Sequence, residues 1–198
     1  KGQGVPQDYK AAVKWYGLAA EQGHATAQNS LGWMYDNAKG VPQDYMTAVK
    51  WWRLAAAQGD PIAQYNLGEM YDRGDGVPKD DRHAANLYRL AAAQGFVHAQ
   101  TVLGLMYRLG RGVPQDHKAA VKWLRRAAEQ GNADALSALA EMDRSARKKR
   151  REQWQERSRQ AAERSRQQAV ERRRRAAQME QRGQGSQTDE NRCTVRKA

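Results

Sequence analysis

The sequence has one cysteine, one phenylalanine and no apolar run of membrane-spanning length. The lone thiol, Cys193, excludes an intramolecular disulfide framework and a paired-cysteine zinc site. A membrane helix needs about 20 consecutive apolar residues, and a mean hydropathy of −0.98 leaves no candidate for one. Proline and glycine are absent over a long stretch, residues 132–182, so nothing there breaks a helix. Charge of one sign is also unevenly supplied. Residues 1–143 carry 16 Lys and Arg against 15 Asp and Glu, whereas residues 144–198 carry 18 against 7. The basicity of the chain, net +12, therefore belongs to its C-terminal part.

What is present is periodic. Gly-Val-Pro begins at Gly4, Gly40, Gly76 and Gly112, always 36 residues apart, and an Asp follows each proline by two positions: Asp8, Asp44, Asp80 and Asp116. A fixed period in this range is the mark of a solenoid. Proline cannot continue a helix, and the Asp is a good N-cap, so a helix starts there. From Asp8 the apolar residues Ala12, Trp15, Tyr16, Ala19 and Ala20 follow one helical face. Gly23 then supplies a left-handed C-terminal stop. A second block, Ala27-Gln28 through Met34-Tyr35, recurs from Ala63 and Ala99 and more weakly from Ala135. Helices are expected at about 8–22, 44–58, 80–94 and 116–130, alternating with helices at about 25–37, 61–73, 97–109 and 133–143. No stretch reads as a strand. Trp15, Trp51 and Trp123 share one repeat position and read as core. Gly-Val-Pro reads as punctuation that ends one helix and caps the next. Ala38 stands where later copies have Gly74 and Gly110, which predicts a distorted loop.

The combined pattern is Ala-x-Ala-Gln-x-x-Leu-Gly-x-Met-Tyr, Gly-x-Gly-Val-Pro-x-Asp, Ala-x-x-Trp and Ala-Ala-x-Gln-Gly. It resembles the Sel1-like repeat, a relative of the tetratricopeptide repeat, over residues 2–143. The resemblance implies an all-α fold, an α/α right-handed superhelical solenoid, here followed by a long basic C-terminal helix. It implies a non-catalytic scaffold or adaptor for protein–protein interaction, with no cofactor. It also implies a bacterial periplasmic, envelope or secreted setting, with the cytoplasm left open. A cysteine-rich subfamily is linked to β-lactam binding or hydrolysis through two cysteines in each repeat. This chain has none in its repeats, so that activity does not carry over. The chain starts at Lys1, immediately before a repeat loop, and is expected to lack residues ahead of it.

Comparison of the internal copies separates packing positions from a variable stripe at i, i+3, i+7 and i+10. The stripe reads Thr26, Asn29, Trp33, Asp36; then Ile62, Tyr65, Glu69, Asp72; then His98, Thr101, Leu105, Arg108. In the resembled folds this helix lines the concave groove. Asn29, Trp33, Tyr65, Glu69, Asp72, Thr101, Leu105 and Arg108 are therefore candidate contacts for a protein or peptide partner. Trp33 and Tyr65 would be aromatic anchors. The alternative is a solvated face that drifts freely. His24, His83, His98 and His117 fall at four different repeat positions and form no i, i+4 metal pair. Nor does any Gly-Lys-Ser/Thr complete a phosphate loop, so no metal site and no catalytic constellation are expected.

Residues 144–182 read as a basic helix without a sustained apolar seam. Lys148, Lys149, Arg150 and Arg151, with Arg172, Arg173, Arg174 and Arg175, are candidate contacts for nucleic acid or another anionic polymer or surface. The competing reading is a solvated extension. Residues 183–198 read as disordered, and Cys193 there as an incidental thiol. The oligomeric state is left open.

Overall fold

The structure, a computed structural model, describes residues 8–195, with side chains through Met179. The first Gly-Val-Pro copy and the side chain of Cys193 lie outside that range. Among the described residues the chain forms eight α-helices and no strand. They are α1 (Tyr9–Glu21), α2 (Ala25–Asp36), α3 (Tyr45–Ala57), α4 (Pro61–Arg73), α5 (Asp81–Ala93), α6 (Val97–Leu109), α7 (His117–Glu129) and α8 (Ala133–Val195). The chain divides into two units between Met142 and Asp143. The first is an all-α repeat solenoid.

The aspartates start the helices as their chemistry dictates. The Asp8 carboxylate accepts from the Ala11 amide at 3.0 Å. Asp44 accepts from the Thr47 amide at 3.1 Å and the Thr47 hydroxyl at 2.6 Å. Asp80 accepts from the amides of Arg82 and His83, and Asp116 from those of Lys118 and Ala119. Bonding from the Thr47 hydroxyl and amide holds the Asp44 carboxyl below its ordinary pKa, and the His83 amide leads the same effect at Asp80. The backbone amides of Asp44, Asp80 and Asp116 donate in turn to the carbonyls of Tyr35, Tyr71 and Tyr107, at 2.9–3.0 Å. Each cap thus also closes the loop onto the helix before it.

The loop is more than punctuation. Gly40 has φ +76°, and a Cβ there would lie 2.5 Å from the Tyr9 backbone; at Gly76 a Cβ would lie 2.6 Å from that of Tyr45. Gly112 meets Asp81 in the same way. The glycine of each of these three loops therefore seats directly on the first turn of a helix in the preceding repeat. Ala38 carries φ +52°, a left-handed conformation that costs an L-residue about 1–2 kcal/mol. The distortion expected there takes this form.

The helix pairs meet through a second close approach. A Cβ on Gly32 would lie 2.7 Å from the Trp52 indole, one on Gly68 2.8 Å from the Tyr88 ring, and one on Gly104 2.7 Å from Leu124. Trp52, Tyr88 and Leu124 are fully buried. The sequence reading placed Trp15, Trp51 and Trp123 in the core; Trp52 and Leu124, each one residue further along, occupy it instead. Trp51 packs half-buried against the cluster of Ala20, Ala27 and Leu31, and Trp123 against that of Tyr88 and Leu103. This position leans on the repeat before it. The described residues hold no helix pair ahead of α1, and Trp15 is 66% exposed.

α8 is one helix from Ala133 to Val195. Its residues up to Met142 complete the solenoid, with Ala135 and Ala138 buried beside Leu124 and Ala127. From Asp143 to Met179 every side chain is exposed. The helix passes Gly183 and Gly185 where disorder was expected. Each glycine costs about 1 kcal/mol relative to alanine but keeps its N–H, and no proline intervenes. Residues 196–198 lie outside the described range.

The close approach at Gly68 is testable. Gly68→Ala forces its methyl against the Tyr88 ring and is expected to destabilise the solenoid by about 1–3 kcal/mol in urea unfolding, despite alanine's better helix propensity. An unchanged or raised midpoint would refute the contact.

Candidate partner-binding groove

The fixed positions of α2, α4 and α6 are used up by packing. Besides the glycines, Gln28, Gln64 and Gln100 are buried at 4% exposure. Their amides donate to the carbonyls of Ala20, Ala56 and Ala92, at 3.0, 3.4 and 3.2 Å. Their oxygens accept from Gln58, Gln94 and Gln130, at 2.8, 3.0 and 2.8 Å. Gln94 also donates to the Gly59 carbonyl, and Gln130 to that of Gly95. The result is a ladder of amides running between repeats. Sequence reasoning saw these glutamines recur but gave them no role. Glutamine suits an exposed helix face equally well, and only its burial shows that it is a tie.

The variable stripe does not behave as one uniform surface. Trp33 is 43% exposed and Ile62 44%, so both offer apolar surface. Asn29 is a tie as much as a contact. Its side-chain oxygen accepts from Asn66 at 3.1 Å, which joins α2 to α4, and its carbonyl accepts from the Trp52 indole at 3.2 Å. Thr101 is removed from the candidate surface. It is 6% exposed, and its hydroxyl donates to the Val97 carbonyl within its own helix. Leu105 is half-buried against Ala135 and Ala138. Arg108 pairs with Glu141 at 3.0 Å, and Asp72 with Arg111 at 3.0 Å.

Tyr65 sits among aromatic rings, 5.5 Å from Tyr88, 5.2 Å from Phe96 and 6.2 Å from His98 between centroids. Its hydroxyl donates to Glu69 at 3.2 Å. Burial pushes the Tyr65 phenol up to about 12, and the Glu69 charge adds to the shift. The ring is therefore largely structural, and its hydroxyl is tied to Glu69.

Four carboxylates gather near this point: Asp36, Glu69, Asp72 and Asp75. Arg111 pairs with Asp72, and Arg73 with Asp75 at 3.3 Å. Among the described residues no salt bridge reaches Asp36 or Glu69. Burial raises both carboxyls above their ordinary values; Arg73 opposes each shift, and the Asp36 charge adds to that of Glu69. Among the described residues no three His, Cys, Asp or Glu side chains converge as a metal site, nor is any helix long and apolar enough to cross a membrane. His83 meets Tyr71 in a tilted pair at 4.2 Å between centroids, while His98 meets Phe96 edge-on at 5.6 Å.

In the second unit, Lys148–Arg151 and Arg172–Arg175 are all exposed. Four consecutive helical residues are spaced about 100° apart, so each block encircles the helix and presents no single basic face. Arg175 pairs with Glu171 at 2.7 Å.

Comparison with known proteins supplies the context. The family model for the Sel1 repeat matches residues 1–24, 25–60, 61–96 and 97–132. Among solved structures, a protective antigen present in uropathogenic Escherichia coli strains, displaying an SLR fold, is 43% identical with a TM-score of 0.69. It matches over 71% of this chain and 30% of its own. A Sel1 repeat protein from Oxalobacter formigenes is 38% identical with a TM-score of 0.66, over 71% of this chain and 58% of its own. Cysteine rich protein B of Helicobacter pylori is 26% identical with a TM-score of 0.53, over 66% of this chain and 93% of its own. This chain thus spans less than two thirds of the first two structures. No match was found among curated proteins.

The pKa of Glu69 yields a pH-dependent test. A raised carboxyl pKa means that folding favours the protonated form. Its contribution is fully present below the ordinary value of 4.5 and is lost as pH rises through the higher folded value. Glu69→Gln keeps a neutral acceptor for Tyr65. Its melting temperature is expected to exceed that of the wild type at pH 7, with the gap closing below pH 4.5. A variant less stable at pH 7 would contradict this.

Proposed function

The chain belongs to the Sel1 repeat family, whose members are in general scaffolds for protein–protein interaction, and from that membership we propose a non-catalytic adaptor that holds a protein or peptide segment on the α2, α4 and α6 face. One observation carries the proposal. The residues that differ between copies on these helices include the exposed Trp33 and Ile62, while the residues that recur are consumed in packing. Apolar side chains left open on a scaffold, ringed by polar ones, are the ordinary material of an interface core. In the related folds this face lines the concave groove, which supports the same reading.

The test is affinity capture on the immobilised full chain, quantified by mass spectrometry. Trp33→Ala is expected to deplete a defined set of captured proteins about tenfold or more. Trp154→Ala, at a still more exposed tryptophan on α8, is expected to leave that set unchanged. Circular dichroism should show both variants folded. Tyr65 is unsuited to this test, because removing its ring would also open the Tyr88 and Phe96 contacts. Capture that is indifferent to Trp33 would overturn the assignment.

The exposure of Lys148–Arg151 and Arg172–Arg175 favours a second reading, in which the second unit binds an anionic polymer or surface. A single-stranded oligonucleotide titrated at several salt concentrations should then bind with affinity falling steeply as salt rises. An Arg172–Arg175 to Gln variant should flatten that slope. A full chain that does not retain the oligonucleotide at low salt would remove this reading.

A further inference from the structure

The α2 and α4 part of the stripe differs from the rest in charge and in apolar exposure. Further along, the stripe neutralises itself: Arg108 pairs with Glu141. Here, four carboxylates are answered by two guanidinium groups, and both of those are engaged, Arg73 by Asp75 and Arg111 by Asp72. Among the described residues the Asp36 carboxylate accepts only from the neighbouring Asn37 amide, at 3.0 Å, and that of Glu69 only from the Tyr65 hydroxyl, at 3.2 Å. Two half-buried carboxylates thus remain without a salt bridge among the described residues, and Arg73, whose charge only partly offsets their burial, is itself engaged by Asp75. The indole of Trp33 stands open on the same face, one turn from Asp36 and at the repeat position that Glu69 occupies in the next copy. The Asn29–Asn66 bond holds α2 and α4 together on this side, so these groups lie on adjoining helices fixed to one another.

We propose that this face docks an extended peptide segment carrying an arginine, whose guanidinium lies against Trp33 and pairs with Asp36 and Glu69. The occupant follows from charge complementarity. A cation relieves the excess of carboxylates, and an acidic segment would meet only repulsion. Arginine fits better than lysine, because its planar guanidinium stacks on an aromatic face and forks onto carboxylates at once. Ile62, exposed in the same stripe, supplies apolar contact for the residues flanking that arginine. This inference rests on the α2, α4 and α6 face being the partner surface, and it names what that surface selects.

The probe is a phage-displayed library of random linear dodecapeptides, selected on the immobilised full chain and counter-selected on the folded Trp33→Ala chain. Selected peptides are expected to share an arginine at one fixed position. A synthetic copy of one such peptide should lose about tenfold in affinity to the Asp36→Asn, Glu69→Gln chain, and a comparable amount when its arginine becomes glutamine. Urea unfolding of the double variant checks that it remains folded. Peptides that depend on Trp33 but share no arginine would overturn this proposal and leave the groove standing. Should no selected peptide depend on Trp33, both readings would fall.

Discussion

The solenoid depends on the approach of one helix to the next at Gly32, Gly68 and Gly104. At each of these positions a large side chain from the following helix, Trp52, Tyr88 or Leu124, occupies the space that a Cβ would take. The helix axes can come this close only where the side chain is a hydrogen atom. The partner then becomes fully buried and anchors the apolar cluster of its repeat. The chemistry of the partner is free to vary from indole to phenol to isobutyl, because what matters is that the space is filled. The glycine has no such freedom.

Two further ties propagate the same geometry from repeat to repeat. The glycines of the three described Gly-Val-Pro loops, Gly40, Gly76 and Gly112, each rest on the first turn of a helix in the preceding copy. The buried glutamines satisfy carbonyls at the ends of α1, α3 and α5, and each bonds a second glutamine 30 residues further on. A buried amide is expensive to leave unpaired, so the ladder fixes register as well as adding stability. Together these ties specify a frame that is nearly the same in every copy. Exposed variation on α2, α4 and α6 falls on the stripe, and that is why the stripe is the place to look for a partner.

Much of the fold was legible because it is written in residues with narrow backbone or capping roles. The 36-residue period, the aspartate caps and the glycine stops each point to a helix boundary, and the caps carry the expected hydrogen bonds. What misled the reading was adjacency. Trp51 and Trp52 both fit one helical face, and only the partner helix decides which of them enters the core. The glutamines were invisible as ties because their types do not announce burial. The stripe was legible as variation, but not in its detail. Thr101 turned inward, Asn29 became a tie between repeats, and Tyr65 was drawn into an aromatic cluster with Phe96, a residue that occurs once in the chain. Its acidity emerged only once the ion pairs of the neighbouring arginines were known.

The central claim is a division of labour, in which recurring residues hold the frame and the varied stripe meets the partner. Backbone and indole NMR of the full chain, recorded with and without a captured peptide, tests it most directly. The account predicts that shift changes concentrate on Trp33, Asp36, Tyr65 and Glu69, including the indole N–H of Trp33, while the glutamine ladder and the Gly-Val-Pro loops stay unmoved. Changes confined to residues beyond Asp143, or centred on the loops, would contradict it.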